Sequence, residues 1–271
     1  MFMNTIGEGA YGIVWRGFDN KRKEHVAIKR FKSAHLDPEV MLITRREISI
    51  LQSCNHPNIV KYLNAYKTNS GHVYLVTEFV QNTLTSQLRK HRNGFTSDQV
   101  LSITKQLLEA IQYMHASMLI HRDLKPSNIL LEPNNQVKLC DFGFAREIET
   151  RDRVAYTSYM TTRWYRPPEI ITGESYGPSI DIWSIGCLFA ELATGAPMFP
   201  GRTNLDQLSL IENTLGKLDG SIEPMHTLEQ RYDEFSPDML QVLHACINLD
   251  PMKRLEADAI LKLPYFMDAS P

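Results

Sequence analysis

The most informative stretch of the sequence is His121-Arg122-Asp123-Leu124-Lys125-Pro126-Ser127-Asn128, which Asp141-Phe142-Gly143 follows thirteen residues later. Transfer of a phosphoryl group to a hydroxyl needs a carboxylate that orients the hydroxyl and accepts its proton, and oxygen ligands for hard Mg²⁺ ions. Asp123 suits the first role, and Asn128 and Asp141 suit the second. Lys125, two residues after the carboxylate, can reach the transferred phosphate as a point charge.

The alternative for Asp123 is a loop carboxylate without a chemical role. A chance match to eight residues of one pattern, with a second triplet in register, is rare enough to favour the chemical interpretation. The segment 121–143 is therefore our candidate phosphoryl-transfer centre.

A glycine-rich motif lies near the start of the chain, where Gly7-Glu8-Gly9-Ala10-Tyr11-Gly12 is followed by Ile13-Val14. Glycines let bare backbone approach a polyphosphate because no Cβ stands in the way. Alone the motif is weak, since a glycine-rich turn or a dinucleotide site has the same pattern. The dinucleotide version needs a helix at the third glycine, whereas this sequence continues as a strand, which favours a hairpin over phosphates.

Lys29 and Glu47 follow the glycine-rich motif, and their spacing suggests an ion pair. The apolar strand Val26-Ala27-Ile28 delivers Lys29, and Glu47 comes eighteen residues later on a predicted helix. As a pair, they would hold the ammonium against the α- and β-phosphates of a nucleotide. Taken singly, Lys29 is explained as a solvated strand lysine and Glu47 as an exposed helix residue.

The pattern of the chain predicts two unequal parts. Short alternating strands occupy 6–76, interrupted by one helix with Asp37 as N-cap and Pro38 at its first position. From Phe79 onward the sequence is mostly helical, with a capping box at Thr96 and Gln99 and further helix starts at Ser179, Asn204 and Ser236. We expect an α+β fold with a β-rich lobe over 1–78, a hinge at 79–83 and an α-rich lobe over 84–271.

The composition of the chain limits which partners and which cellular compartment we expect. The 271 residues carry 29 Lys and Arg against 31 Asp and Glu, so bulk charge gives no reason to expect nucleic acid or a membrane as a partner. Four scattered cysteines without C-x-x-C spacing argue against a disulfide framework or a zinc site. With no signal segment or membrane span evident, we expect an intracellular protein, cytoplasmic or nuclear or both.

From Gly7 to Phe266 the chain resembles a eukaryotic protein kinase. Besides the motifs above, it carries Pro167-Pro168-Glu169, Asp181-Ile-Trp-Ser-Ile-Gly186 and Asp250-Pro-Met-Lys-Arg254. The resemblance implies the bilobal protein-kinase fold, the use of ATP and Mg²⁺, and a buried bridge between Glu169 and Arg254. It implies catalytic roles for Asp123, Lys125, Lys29 and Glu47, metal ligation by Asn128 and Asp141, and ATP contacts from Ile6, Gly7, Glu8, Gly9, Ala10, Tyr11, Gly12, Val14, Ala27, Lys29, Thr77, Glu78, Val80 and Leu130.

Thr162-Arg163-Trp164-Tyr165-Arg166 resembles the group of cyclin-dependent and mitogen-activated kinases, and Thr157-Ser158-Tyr159 is most similar to the cyclin-dependent-kinase-like family. That likeness implies protein substrates in which proline follows Ser or Thr. It does not imply an obligate cyclin, because residues 43–47 differ from the helix that typical cyclins recognise.

Regulatory residues follow from the same resemblance. Phosphate at Thr157, added by an upstream kinase or by the enzyme itself, would bridge Arg122 with Arg45 or Arg46, and phosphate at Tyr159 would shape the peptide platform. Phosphate at Tyr11 would be inhibitory, since it would repel ATP.

Three alternatives stay open. A pseudokinase scaffold would keep the fold without chemistry, but it usually lacks the lysine, the base or a metal ligand, and all of these are present. A small-molecule phosphotransferase usually lacks the peptide platform that 163–169 resembles. For Cys140, beside Asp141, we weigh a reactive thiolate in the nucleotide pocket against a buried, inert cysteine.

Overall fold

The computed structural model describes residues 1–9, 12–32, 37–148, 163–218, 220–221 and 223–267. Four of the predicted site residues lie outside these described residues: Ala10, Tyr11, Thr157 and Tyr159.

The first part of the chain forms a five-stranded antiparallel sheet. Its strands are β1 (Phe2–Glu8), β2 (Gly12–Asp19), β3 (Glu24–Phe31), β4 (Tyr62–Lys67) and β5 (Val73–Glu78), in the spatial order β1-β2-β3-β5-β4. Alternation sets the faces of β3, where Val26 and Ile28 are buried on one side while Lys29 projects to the other. This geometry delivers a lysine from an otherwise apolar strand.

One long helix, α1 (Pro38–Ser53), packs against this sheet. It begins where the sequence predicted, because the Asp37 carboxylate accepts hydrogen bonds from the backbone N–H groups of Glu39 at 2.8 Å and Val40 at 3.3 Å. Its buried face consists of Thr44, Glu47, Ile50 and Leu51. A carboxylate therefore lies on the inner face of the helix, which requires a partner.

The rest of the chain is mainly helical. Its helices are α2 (Leu84–Leu88), α3 (Ser97–Ala116), α4 (Pro168–Thr172), α5 (Ser179–Thr194), α6 (Asn204–Leu215), α7 (Leu228–Arg231), α8 (Pro237–Cys246), α9 (Ala257–Ile260) and α10 (Pro264–Met267), with 3₁₀ turns at Pro126–Asn128 and Pro251–Lys253. Short strands β6 (Asn82–Thr83), β8 (Ile129–Leu131) and β9 (Val137–Leu139) form one sheet, and β7 (Leu119–Ile120) pairs with β10 (Arg146–Glu147). The α+β, two-part architecture expected from the sequence is confirmed.

Two helices form the centre of the helical part. The predicted capping box of α3 is present, and its apolar stripe is buried along its length, from Val100 to Met114. Helix α5 is buried from Ile180 to Leu192, because it packs against both α3 and α8. Within the described ranges, no helix combines the length and the apolar character needed to cross a bilayer.

The two parts meet through backbone pairing at one seam. The N–H of Val60 donates to the carbonyl of Leu139 at 2.9 Å, and the N–H of Leu139 donates to the carbonyl of Asn58 at 2.8 Å. A continuous apolar core runs through this seam from Phe31 in the sheet to Phe142 after β9. The loops that carry the predicted chemistry therefore lie at the boundary between the two parts.

Candidate active site

The catalytic loop is anchored by Asp181, a residue in the first turn of α5. Its carboxylate accepts the backbone N–H groups of His121 and Arg122, each at 2.9 Å, and lies 3.0 Å from Nε2 of His115. Burial alone would raise the pKa of Asp181, but the hydrogen bond from His115, with a smaller contribution from the Arg122 N–H, outweighs burial and lowers the pKa. Arg122 has a φ of 71°, a left-handed conformation that the two bonds to Asp181 help to maintain.

Asp123 is surrounded by donors. Nζ of Lys125 lies 2.7 Å from its Oδ2, and Nδ2 of Asn128 lies 2.9 Å from the same oxygen and 2.9 Å from the Asp123 carbonyl. Burial raises the pKa of Asp123, and the charge of Lys125 partly offsets that rise. The arrangement presents a single, oriented carboxylate next to a cation, as a proton acceptor in phosphoryl transfer requires.

Asn128 and Asp141 supply the oxygen atoms expected of a Mg²⁺ site. Because the amide nitrogen of Asn128 donates to Asp123, its carbonyl oxygen is directed away from that carboxylate. Burial would raise the pKa of Asp141, but Lys29 outweighs it and lowers the pKa, so this group is a carboxylate. An amide oxygen and a carboxylate are the ligands that Mg²⁺ prefers, and the residues present fit the ion.

The predicted pair between Lys29 and Glu47 is confirmed. Nζ of Lys29 lies 2.6 Å from Oε1 of Glu47 and 2.9 Å from Oδ1 of Asp141. Burial would lower the pKa of Lys29, but the Asp141 and Glu47 carboxylates outweigh burial and raise the pKa. Burial also raises the pKa of Glu47 to about 7, against the influence of Lys29. One lysine thus joins β3, α1 and the Asp-Phe-Gly segment.

The buried ring of Phe142 holds the Asp-Phe-Gly segment against the catalytic loop. Its ring is fully buried and lies edge-on to the His121 imidazole, with 5.2 Å between ring centroids and an interplanar angle of 71°. Because His121 belongs to the catalytic loop, this contact holds Asp141 and Asp123 in one arrangement.

The glycine-rich motif forms the hairpin between β1 and β2, with Gly7 opposite Val14 and a hydrogen bond from the N–H of Gly9 to the carbonyl of Gly12 at 2.9 Å. A Cβ on Gly12 would lie 2.9 Å from the Arg30 carbonyl, whereas a Cβ on Gly9 would meet no atom within 4 Å. Gly12 is therefore required by packing against β3, whereas a side chain at Gly9 would extend into open space. Glu8 is exposed and paired with Lys32 at 2.6 Å, and Ile6 is exposed as well.

The residues predicted to contact adenine lie on β3, at and just after the end of β5, and on β8. Ala27 and Thr77 are opposite each other in the sheet, and the Thr77 hydroxyl donates to the Glu78 carbonyl at 3.2 Å. Val80 is buried and Leu130 is half-buried. Ala27 comes two residues before Lys29 on β3, and Thr77 is on the neighbouring strand β5.

A cluster of three arginines brings together three elements, and sequence reasoning missed one of its members. Arg146 in β10 lies close enough to Arg46 of α1 and to Arg122 for their charges to influence it. Burial, followed by these two like charges, lowers the pKa of Arg146 to about 10. Arg45 is exposed, so of the two predicted helix arginines it is Arg46 that reaches the cluster. The signal in the sequence was the motif Asp141-Phe-Gly-Phe-Ala-Arg146.

The guanidinium of Arg122 also lies over the ring of Tyr176, 5.2 Å from its centroid. Tyr176 is a second residue of this region that sequence reasoning missed. No motif in the sequence pointed to it, because it lies in the loop between α4 and α5.

Residues 163–166 form several hydrogen bonds with the helical part of the chain. Arg163 donates to the Asn204 side chain at 3.1 Å, and the Trp164 indole donates to the Gly201 carbonyl at 3.1 Å. Arg166 lines a cavity of about 20 Å³ that Asp123 also lines. The segment predicted to hold the peptide therefore lies next to the candidate base.

The bridge predicted between Glu169 and Arg254 is confirmed. Two guanidinium nitrogens lie 2.6 and 2.9 Å from the two carboxylate oxygens, and both side chains are buried. This bridge supports α4 beneath the segment just described.

The structure favours the inert alternative for Cys140 over the thiolate hypothesis. The Cys140 side chain is half-buried. Burial raises the pKa of its thiol, and the Asp141 carboxylate raises it further, so the surroundings favour the protonated thiol.

Comparison with known proteins is consistent with this geometry. The family model of the protein kinase domain matches residues 1–266. Cyclin-dependent kinase-like 4 from Mus musculus is 39% identical over 280 residues, which cover 96% of this chain and 81% of that protein. Cyclin-dependent kinase-like 1 from Caenorhabditis elegans is 38% identical, covering 96% and 78%. Cell division control protein 2 homolog 3 from Trypanosoma brucei brucei is 37% identical, covering 98% and 91%.

With the matched domain extending over nearly the whole chain and the pairing of Lys29 with Glu47 in place, the chain belongs to the protein kinase family, resembles its cyclin-dependent-kinase-like members, and is an ATP-dependent serine/threonine protein kinase.

Proposed function

We propose that this kinase transfers the γ-phosphate of ATP to Ser or Thr followed by proline, and that phosphorylation at Thr157 and Tyr159 activates it. The observation that carries the proposal is the assembled site. Asp123 lies within 2.9 Å of Lys125 and Asn128, and Lys29 joins Glu47 to Asp141. A scaffold without chemistry has no need for this set of closely spaced charges, of which Asp123 and Glu47 are buried and therefore costly to bring together.

In the proposed mechanism, Asp123 orients the substrate hydroxyl and accepts its proton. Lys125 stabilises the charge that develops on the transferred phosphoryl group, and Lys29, held by Glu47, positions the α- and β-phosphates. Asn128 and Asp141 would hold Mg²⁺, which neutralises phosphate charge when it is bound. The alignment of these groups is the main contribution that the protein makes, because the transfer itself needs little covalent chemistry.

Nucleotide recognition is assigned to the hairpin, to Ala27 and Leu130 as apolar faces, and to the backbone at Glu78 and Val80. Thr77 would line the pocket behind adenine. Support comes from the position of these residues beside Lys29 and from the open space at Gly9.

The preference for proline after the phosphorylated residue is inferred from the segment Arg163 to Pro167. The carbonyl of Tyr165 accepts a hydrogen bond from the Ser184 hydroxyl at 2.8 Å, and Arg166 shares a small cavity with Asp123. Because the Tyr165 carbonyl already accepts a hydrogen bond, it is not free to accept one from a backbone N–H of the substrate. Proline has no backbone N–H, so a substrate with proline at this position leaves no donor unsatisfied.

Activation is inferred from the arginine cluster. The positive charges of Arg46 and Arg122 act on Arg146 and help to lower its pKa, so an anion close to Arg146 would stabilise the arrangement. Phosphate on Thr157, supplied by an upstream kinase or by the enzyme itself, would provide that anion and couple α1 to the catalytic loop. A cyclin would not be obligatory.

We place the enzyme inside the cell, in the cytoplasm, the nucleus or both, with protein substrates and neither nucleic acid nor membrane as a partner. The observation in favour is that Cys54, Cys140, Cys187 and Cys246 are free thiols, as a reducing compartment would keep them.

The test of transfer compares wild type with Asp123→Asn on peptides that differ only in Pro or Ala after the serine, using labelled γ-phosphate. We expect Asp123→Asn to lower kcat by at least ~10²-fold, the usual contribution of a general base, with the thermal midpoint within a few degrees. Replacement of the proline should lower kcat/KM by roughly tenfold, equivalent to ~1.4 kcal/mol.

The matched control is Asp258→Asn, because Asp258 is a partly exposed carboxylate paired with Lys262 far along the chain. It should transfer phosphate like wild type. Full turnover in Asp123→Asn would remove the base assignment, and equal rates on the two peptides would remove the proline preference. A wild type that transfers no phosphate even after activation would favour the pseudokinase.

The test of activation measures kcat before and after phosphorylation of Thr157 and Tyr159. We expect a gain of at least tenfold, or ~1.4 kcal/mol of barrier. Arg146→Gln should abolish most of that gain, whereas Arg45→Gln, an exposed arginine of α1, should preserve it. If Thr157→Ala/Tyr159→Phe turns over as fast as phosphorylated wild type, the loop contains no phosphate switch.

A further inference from the structure

Lys138 is a charged residue in the middle of β9. The proposed mechanism gives this lysine no role. In β9 its neighbours Val137 and Leu139 are fully buried, while Lys138 is half-buried. Lys138 is directly opposite Leu130 of β8. Because opposed residues of an antiparallel pair project to the same face, Lys138 shares the face of Leu130, which is assigned to the floor of the adenine site.

The ammonium of Lys138 is paired with the carboxylate of Glu78, the last residue of β5. Nζ lies 2.9 Å from Oε1, and the two side chains are 12% and 25% exposed. The same carboxylate oxygen accepts the backbone N–H of Lys61 at 2.7 Å, and the N–H of Glu78 donates to the Lys61 carbonyl at 3.1 Å. Glu78 is therefore held by its side chain and its backbone at once.

These contacts join the two parts of the molecule across the hinge. Glu78 ends β5 of the N-terminal sheet, and Lys61 directly precedes β4 of the same sheet. Lys138 belongs to the three-stranded sheet whose first strand, β6, contains the last two residues of the hinge. The carbonyl of Glu78 also accepts the Thr77 hydroxyl at 3.2 Å. Glu78 is thus held through its side chain, its backbone N–H and its carbonyl oxygen.

We infer that Lys138 is a positioning residue for nucleotide selection, which acts through Glu78. It fixes the Glu78 carbonyl so that this oxygen accepts a hydrogen bond from the amino group at position 6 of adenine. A purine with an oxygen at that position would set two acceptors against each other, which leaves both unsatisfied in a partly buried site. The inference rests on the proposed contact between Glu78 and adenine.

The consequence is a specific change in selectivity. A carbonyl held in one place discriminates strongly between a donor and an acceptor, because the protein does not have to reorganise when the correct base binds. Without the ammonium of Lys138, the peptide after Glu78 can rotate, so ATP loses an aligned partner while GTP loses a repulsive one.

The experiment measures Kd for Mg·ATP and Mg·GTP by calorimetry in wild type, Lys138→Met, Lys138→Arg and Glu78→Gln. Wild type should prefer ATP. We expect Lys138→Met to weaken ATP binding about fivefold while GTP binding changes less than twofold, so that the ratio of the two constants falls. Lys138→Arg retains the charge and should restore most of the ratio, and Glu78→Gln, which keeps the shape of the side chain, should reproduce the loss.

Lys262→Met is the matched control, since it removes an exposed lysine that is also paired with a carboxylate. Its ratio should equal that of wild type. A merely structural role for Lys138 would lower the thermal midpoint and weaken both nucleotides equally, which would overturn the inference. If Lys138→Met does not fold, Glu78→Gln decides by the same criterion.

The wild-type measurement separates this inference from the proposed function. If wild type binds ATP and GTP equally, the adenine contact at Glu78 is wrong and the inference falls with it. If wild type prefers ATP and neither Lys138→Met nor Glu78→Gln alters the ratio, the proposed site stands and only the role of Lys138 is rejected.

Discussion

Buried carboxylates in this kinase differ in whether they have a cation as partner. Glu47 and Glu169 have one, but Glu191 in α5 accepts its hydrogen bond from the Tyr165 hydroxyl at 2.6 Å. Burial raises the pKa of Glu191, and burial together with this carboxylate raises the pKa of Tyr165. A neutral donor compensates a buried negative charge less well than a cation does.

The raised pKa of Glu191 predicts a pH dependence for Glu191→Gln. Because the folded pKa of Glu191 is raised above its unfolded value, the stability that this group contributes is complete below the unfolded pKa and is lost as pH rises through the folded pKa. The thermal midpoint of Glu191→Gln minus that of wild type should therefore become more positive from pH 5 to pH 8. Differential scanning calorimetry checks this, with exposed Glu234→Gln as the control. A difference that stays constant with pH would contradict the raised pKa.

The strands and helices position the site through a few contacts that individual residues cannot make alone. The hairpin of β1 and β2 is an example, because its glycines have different reasons to be glycine. Gly12 packs against the backbone of β3, and Gly9 faces open space.

We therefore expect Gly9→Ala and Gly12→Ala to separate stability from nucleotide affinity. Gly12→Ala should lower the free energy of unfolding by ~1–3 kcal/mol, since its Cβ would lie 2.9 Å from a carbonyl oxygen. Gly9→Ala should change it by less than ~0.5 kcal/mol, yet weaken ATP binding, because the methyl group occupies the space assigned to phosphate. Urea unfolding and calorimetric titration measure the two quantities. Similar unfolding free energies for both variants would refute the assignment.

The molecule as a whole depends on links between distant parts of the chain. Arg254 reaches Glu169 across 85 residues of sequence and also donates to the carbonyls of Asn248 and Ser179. The Lys29 pair with Asp141 spans 112 residues in the same way. Such links make the platform, the catalytic loop and the sheet one unit.

Arg254→Met should destabilise the kinase by ~3–5 kcal/mol, because it leaves the Glu169 carboxylate buried without its partner. The double variant Glu169→Leu/Arg254→Met should recover part of this loss, since an apolar pair removes the uncompensated charge. Lys262→Met, which breaks an exposed pair, should cost less than ~1 kcal/mol. Urea denaturation gives all three values. A single variant that loses no more stability than Lys262→Met would show that the bridge contributes little.

Much of this structure was predictable from local chemistry. The starts of α1 and α3 follow from Asp37 and from the pair Thr96 and Gln99, because a cap acts within one helical turn. The identities of the base, the metal ligands and the paired lysine also follow from motifs, since phosphoryl transfer demands those chemical groups at short spacing. For these features the order of residues is sufficient.

Only the tertiary structure decided which distant residues meet and in which direction a pKa is shifted. Arg46 rather than Arg45 acts on Arg146, Asp181 anchors the catalytic loop, Lys138 is paired with Glu78, and the pKa of the Cys140 thiol is raised. Each of these depends on the packing of elements that lie far apart in the chain. Packing sets the burial and the distances between charges, and those two quantities determine a pKa or an ion pair in a way that no local pattern contains.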